Sequence, residues 1–207
     1  RLHKVAMVID RFDLPTDELT WTFEAHGTVG WLNLNDLPVS EIADAGSRWA
    51  QWLRMAQGAM LREAWPAGEP TLFDLLRQAE EGGDASALDA FLTALTDRTG
   101  WNRADLDTLV DGGHFDLDDF DADWGGTATL RHLWRLQASF DTLRRLGVSA
   151  AMAWRWAEST VSRTVAGEVK PAARAKYTEH QWLSVAEPIR DDLRQKQRTA
   201  LVEAVIQ

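Results

Sequence analysis

The sequence predicts an all-α protein, arranged as an irregular stack of antiparallel helical hairpins with about nine helices. Apolar residues recur every three or four positions in nearly every window, as expected of helices that bury one face. Clear examples are Trp49, Trp52, Leu53, Ala56 and Met60, and later Leu130, Leu133, Leu136, Phe140 and Leu143. Alternation typical of a strand is confined to residues 31–35, which lie between Gly30 and Pro38. We interpret that stretch as an irregular crossover.

The helical period also places the individual elements along the chain. It predicts a short helical turn at residues 116–122, within an acidic stretch. The longer predicted helices cover residues 2–12, 16–26, 40–64, 71–81, 84–98, 102–111, 127–146, 149–166 and 178–206.

Three junctions between predicted helices share one pattern, in which an apolar residue and a helix-capping residue separate two amphipathic stretches. They lie at residues 12–19, 100–106 and 147–152. Asn102 and Ser149 are the predicted caps of the last two, each preceded by a glycine suited to a left-handed C-terminal position. At the first junction the predicted cap is Asp13 or Thr16. Connections this short predict antiparallel neighbouring helices.

Composition excludes several classes of protein. The 207 residues are 45% hydrophobic and include 11 Trp and 7 Phe, which excludes a disordered chain. A formal charge of −10 disfavours nucleic acid and anionic membranes as partners. The lack of cysteine excludes disulfides, thiolate metal sites and cysteine nucleophiles. No apolar run is long enough to cross a bilayer, and residues 1–4 lack the apolar core of a signal peptide.

No residue pattern predicts catalysis, a cofactor or a metal site. The acidic stretch 111–123 resembles a calcium loop only superficially, because Trp124 and Leu130 occupy the positions that require glycine and glutamate. We expect a solvated loop whose Phe115, Leu117 and Phe120 point inward. The five histidines lack the spacing of zinc ligands, so we interpret them as surface or cap residues: His3, His26, His114, His132 and His180. Neither a Gly-x-Ser-x-Gly elbow nor a phosphate-binding Gly-Lys pair occurs.

The tryptophans and the C-terminal apolar stripe are predicted to serve packing. Six tryptophans at helical spacing are expected in the core, namely Trp21, Trp49, Trp52, Trp134, Trp154 and Trp182. Trp154 and Trp156 cannot share a helix face, so one should meet a second layer or another domain. A second stripe should face inward, consisting of Trp182, Val185, Ile189, Leu193, Leu201 and Val205. Arg190, Arg194 and Arg198 should form a solvated stripe with neighbouring carboxylates.

The C-terminal region resembles a known family. A Tyr-x-x-x-x-Trp element at 177–182 and the run Arg-Gln-Lys-Gln-Arg at 194–198 are similar to phrases of the A component of bacterial Tc toxin complexes, the insecticidal toxins related to the Salmonella virulence plasmid A protein. Residues 146–150 and 30–38 are similar to further sequence motifs of that family. The residues that carry the resemblance are Tyr177, Trp182, Pro188, Arg194, Lys196, Gln197 and Arg198.

The resemblance implies a structural role without catalysis. Residues 1–207 would be one segment of the α-helical shell that surrounds the channel of a homopentameric A component, preceding its neuraminidase-like region. Its partners would be neighbouring domains and subunits, and the B and C components in the complete translocating complex, which is secreted or held at the bacterial surface. We expect no sialidase activity, because the Ser-x-Asp-x-Gly-x-x-Trp boxes of a sialidase propeller are missing.

Two further expectations concern the limits of the segment. The chain opens inside an apolar pattern and stops without a helix stop signal, which predicts that it is part of a longer protein, with a possible sub-boundary near residues 111–126.

The alternative hypothesis is a stand-alone acidic helical module that binds a protein partner. Pro188 is expected either to start a new helix or to kink a continuous one.

Overall fold

The fold of the described residues is entirely helical, as the sequence predicts. A computed structural model of the chain describes residues 1–40, 44–111, 113–160 and 162–206, without the side chains of 205 and 206. Eleven α-helices and two short 3-10 helices account for its regular structure, and no strand occurs in these ranges. The stretch predicted as an irregular crossover contains the 3-10 helix Leu34–Asp36.

The described chain forms two compact units, Arg1–Thr142 and Leu143–Gln207. The limit between them falls inside one helix, whereas residues 111–126, where a sub-boundary was predicted, lie within the first unit. That boundary stays a prediction. The helices of the first unit are α1 (Leu2–Arg11), α2 (Leu19–Ala25), α3 (Ala45–Ala64), α4 (Leu72–Glu81), α5 (Ala85–Thr99), α6 (Arg103–Val110), α7 (Phe120–Asp123) and most of α8 (Gly126–Leu146). Those of the second are α9 (Ala150–Ala157), α10 (Arg163–Arg174) and α11 (Glu179–Ile206).

Two predicted elements are wrong in their extent. Residues 16–26 divide into the 3-10 helix Thr16–Glu18 and α2. The single helix predicted over 149–166 is instead α9 and α10, because the Ser162 side chain accepts a hydrogen bond from the Val165 amide and begins a new helix. Helix α10 then continues past Gly167 and through Pro171, two residues that oppose helix formation. The predicted start of α3 at residue 40 adjoins residues 41–43, which lie outside the described residues.

The predicted caps are confirmed at two of the three junctions. Asn102 accepts a hydrogen bond from the Asp105 amide at 3.1 Å, and Ser149 accepts one from the Met152 amide at 3.3 Å. The glycines before them are left-handed, with φ of 70° at Gly100 and 71° at Gly147. The prediction for the first junction is wrong, because Pro15 occupies the cap position and makes no side-chain bond. There the Arg62 side chain donates a hydrogen bond to the carbonyl of residue 13 at 2.5 Å.

The core of the first unit is centred on α4 and α5, which contact each other. Thr71 and Asp74 form a reciprocal capping box at the start of α4, and Asp84 caps α5. Helix α4 also contacts α3, and α5 contacts α6 and α7. The buried apolar residues of the two helices are Leu72, Phe73, Leu75, Leu76 and Ala79 on α4, and Leu88, Phe91, Leu92 and Leu95 on α5.

Aromatic rings connect this core to α3. The ring centroids of Trp21, Trp31 and Phe73 lie 5.5–6.0 Å apart, in edge-to-face contacts. Trp31 is buried, and its ring lies against Gly58 of α3, where an added Cβ would meet the ring at 2.9 Å. Helix α3 can therefore approach the cluster only because this position lacks a side chain.

The second unit has very little core of its own. Among its described side chains, only Leu143, Ala150 and Ala186 are buried. Helices α9 and α10 contact each other, and Arg155 forms an ion pair with Glu168 at 3.3 Å. Helix α10 buries none of its residues. Contacts within this unit therefore contribute little hydrophobic stabilisation.

His132 of α8 is buried in the first unit, so its interpretation as a surface histidine is wrong. Its ring lies 5.6 Å from the ring of Trp124, and its Nδ1 has no hydrogen-bond partner among the described residues. Burial lowers the pKa of His132, and the charges of Arg131 and Arg135 lower it further, whereas Asp123 acts in the opposite direction.

We expect Gly58→Ala to destabilise the first unit, although alanine favours helix formation by about 1 kcal/mol over glycine. The added methyl group would overlap the packed Trp31 ring, which typically costs about 1–3 kcal/mol. Gly46→Ala in the first turn of the same helix is the control, because nothing lies within 4 Å of the added Cβ. Urea unfolding should show a lower midpoint for Gly58→Ala and an unchanged or higher one for Gly46→Ala. A stabilised Gly58→Ala variant would contradict this packing.

The burial of His132 predicts a pH-dependent stability. Because the folded state favours the neutral imidazole, the stabilisation is complete above the ordinary pKa of 6.5 and is lost as the pH falls through the lower pKa of the folded state. His132→Gln should remove this part of the dependence. Thermal unfolding of both proteins between about pH 7.5 and about pH 5, the range in which histidine titrates, measures the difference. Parallel curves would show that His132 contributes nothing.

Candidate functional site

The residues that carry the family resemblance lie on or beside α11, in the second unit. The structure brings Tyr177 and Trp182 together, with ring centroids 6.1 Å apart. The other five follow along α11 at exposed positions, namely Pro188, Arg194, Lys196, Gln197 and Arg198. Helix α11 passes through Pro188 without ending, so of the two predicted alternatives a new helix is excluded and a continuous helix remains.

The Tyr-x-x-x-x-Trp element forms the N-terminus of α11. The Thr178 hydroxyl accepts a hydrogen bond from the Gln181 amide at 3.4 Å, and the Gln181 side chain accepts one from the Thr178 amide at 3.0 Å. Two amides that the helix leaves unpaired are thereby satisfied, as in a capping box. Tyr177 precedes the cap, and Trp182 lies four residues after it, which are the two positions of a hydrophobic staple. These residues therefore determine where α11 begins.

The apolar stripe of α11 is exposed, so the prediction that it faces inward is wrong. Ile189 is 67% exposed, Leu193 55% and Leu201 66%. Trp182 is half-buried, and the side chain of Val205 lies outside the described residues. Helical spacing shows which residues share a face, but it does not show whether another element covers that face. Among the described residues, Ala186 is the one residue of α11 that is buried.

The charged residues of α11 are solvated, as predicted. Arg194 pairs with Asp191 at 3.8 Å, and Lys196 pairs with Asp192 at 2.9 Å, all with largely exposed side chains. Exposed ion pairs of this kind contribute little to stability because water and salt screen them. We define the α11 apolar face as Val185, Ile189, Leu193 and Leu201, which are spaced by four or eight residues and are each more than a third exposed.

The first unit presents a second apolar surface, a groove of about 590 Å³ between α1 and α3. Trp49 is 61% exposed there, so its assignment to the core is wrong. Met7, Lys4 and Arg48 also line this groove. The other five tryptophans predicted in the core are half-buried, namely Trp21, Trp52, Trp134, Trp154 and Trp182. Trp156 is half-buried as well.

The acidic stretch is held by backbone hydrogen bonds. Asp119 accepts one from the Ala122 amide at 3.0 Å, Asp123 accepts one from the Asp119 amide at 3.0 Å, and Asp121 accepts one from the Gly83 amide at 2.7 Å. Leu117 and Phe120 are buried, as predicted. Phe115 is half-buried, and the guanidinium of Arg135 lies 3.6 Å from its ring centroid. Gly112 of this stretch lies outside the described residues. Within the described ranges, no three His, Asp or Glu side chains are grouped to hold a metal ion.

No described helix is both long enough and apolar enough to span a bilayer. Comparisons of the chain with models of known protein families, with characterised proteins and with solved structures give no match.

Proposed function

We propose that residues 1–207 are a non-catalytic structural segment of a larger helical assembly, the α-helical shell of a Tc toxin A component. The observation that carries the proposal is the exposed α11 apolar face, in a unit that buries only three of its described side chains. Ordering a helical unit costs roughly 1–2 kcal/mol of backbone entropy for each residue. A unit with so little buried apolar surface needs further protein to bury its exposed apolar residues.

The charges on α11 favour protein, rather than anionic lipid or nucleic acid, as the partner that buries the α11 apolar face. Basic and acidic side chains alternate beside the apolar face, as in the pairs Arg194–Asp191 and Lys196–Asp192. A helix that binds anionic lipid would instead concentrate basic residues on its polar face. The net charge of −10 also opposes attraction to anionic membranes and nucleic acid.

The resemblance supplies the finer parts of the proposal. The Tyr177–Trp182 staple and the exposed Arg194, Lys196, Gln197 and Arg198 would face neighbouring domains and subunits of a homopentamer. The B and C components would join it in the complete secreted or surface-held complex. The short connection between the contacting helices α4 and α5 supports the proposed stack of antiparallel hairpins.

The groove of the first unit favours a second candidate, a stand-alone acidic module that binds a protein partner. Exposed Trp49 and Met7 within one groove are typical of a surface that receives an apolar side chain. The two candidates differ in the covering protein. In the first it belongs to the same large assembly, and in the second it is a separate partner.

The test compares the 207-residue chain with the protein made from the whole reading frame that contains it. Ile189→Gln combined with Leu193→Gln makes the α11 apolar face polar while retaining helix-forming residues. We expect the double variant to unfold in urea like the parent chain, within about 0.5 kcal/mol, because both side chains are mostly exposed. In the full-length protein it should weaken subunit assembly.

Glu187→Gln combined with Arg190→Gln on the same helix is the matched control, and it should leave both properties unchanged, because both side chains are exposed and neither belongs to the α11 apolar face. Electron microscopy of the full-length parent should show a fivefold helical shell around a channel. A short reading frame that yields a soluble monomer, or a double variant that assembles normally, would contradict the shell proposal. The first of these results would favour the stand-alone module.

A further inference from the structure

The first unit contains a cleft that the proposed function does not use. It has a volume of about 710 Å³, within the range of small-molecule sites. Residues from α3, α4 and α5 and from the segment after α1 line it. Its apolar lining includes Phe12, Met60, Trp65, Leu72 and Phe73. An organic ligand with an apolar body would find aromatic and aliphatic contacts there.

A buried cation also lines this cleft. Arg98, in the last turn of α5, is only 8% exposed. Its Nη1 donates a hydrogen bond to the Pro66 carbonyl, and its buried Nε has no partner among the described residues. No described carboxylate lies within ion-pair distance of this guanidinium. An arginine remains charged at any pH that the protein encounters, and the C-terminus of α5 offers it only a partial negative charge.

Arg62 reaches the same cleft from α3 and is weakly neutralised. Its only described carboxylate partner, Asp13, lies 3.8 Å away, with a fully exposed side chain. Burial lowers the pKa of Arg62, and the charge of Asp13 opposes this effect. The guanidinium lies 5.7 Å from the Phe73 ring centroid, so it borders the apolar lining. The cleft therefore combines apolar side chains with one arginine whose buried Nε has no partner among the described residues and a second arginine whose carboxylate partner is fully exposed.

We propose that this cleft binds an amphipathic monocarboxylate. The carboxylate would pair with the guanidinium of Arg98, with Arg62 nearby, and the apolar body would pack against Met60, with Phe12 and Trp65 beside it. A charged hydrogen bond of this kind supplies the acceptor that the buried guanidinium lacks. The lining also includes Glu18, which pairs with Arg77, and the exposed carboxylates of Asp13, Asp17 and Glu63, which would repel a dianion about twice as strongly as a monoanion. A dianionic phosphate ester is therefore disfavoured.

The test titrates the 207-residue chain with three probes that share one apolar body. 3-Phenylpropionate carries a single negative charge, 3-phenylpropionamide carries none, and 3-phenylpropyl phosphate carries nearly two. Calorimetry and tryptophan fluorescence should both report binding of the carboxylate. The amide should bind at least about tenfold more weakly, because it lacks the charge that Arg98 requires. The phosphate should also bind more weakly than the carboxylate.

Arg98→Met retains much of the apolar stem and removes the charge, so it should lower the affinity for 3-phenylpropionate by about tenfold or more. The control is Arg103→Gln on α6, a half-buried arginine outside the cleft whose partners are Asp89 and Asp107. This variant should bind the carboxylate like the parent chain. Circular dichroism identifies an Arg98 variant that fails to fold, and the comparison of probes on the parent chain then decides. Equal binding of carboxylate and amide, tighter binding of the phosphate, or no binding of the carboxylate at about 10 mM would overturn the proposal.

Discussion

Burial of the apolar faces of α4 and α5 is the interaction on which the first unit depends. The two helices contact each other, and between them they reach α3, α6 and α7. Phe73 extends this contact into the aromatic cluster with Trp21 and Trp31. Their caps, the Thr71–Asp74 box and Asp84, satisfy backbone amides that would otherwise remain unpaired at the helix starts. The same two helices supply Leu72, Phe73 and Arg98 to the cleft, so the candidate ligand site is built on the most strongly packed part of this unit.

The second unit is held mainly by local backbone hydrogen bonds and has few buried apolar contacts. Its helix starts are well specified, since Ser149, Ser162 and Thr178 each cap the helix that follows. Its apolar side chains, however, find few partners within the unit. Local backbone hydrogen bonds can determine where a helix begins, but they supply little of the stability that comes from burying apolar surface. We therefore infer that further protein buries the apolar residues of α11, and that the solvated ion pairs serve solubility and specificity.

Much of the helical pattern was predictable because its causes are local. The 3.6-residue period and the caps Asn102 and Ser149 act over a few residues, and the structure follows both. Burial was less predictable, as the exposed Trp49 and Ile189 show, because periodicity identifies a face and not its neighbour. The extent of α10 was not predicted, because Gly167 and Pro171 have low helix propensity. The helix nevertheless continues through both residues. Nothing in the sequence distinguishes Arg98 from the exposed arginines, because its partner Pro66 lies 32 residues away. The charge mismatch in the cleft becomes visible only in three dimensions.

Native-state amide hydrogen exchange of the 207-residue chain shows whether the first unit has its own core and whether α11 depends on further protein. Exchange reports the free energy of local opening for each amide, so it measures the two units separately in one sample. We predict strong protection of the amides of α4 and α5 and weak protection of those of α11 beyond Trp182. Protection of α11 should rise in the full-length protein. Equal, strong protection of α4, α5 and α11 in the 207-residue chain alone would contradict the account, because α11 would then need no further protein to hold it.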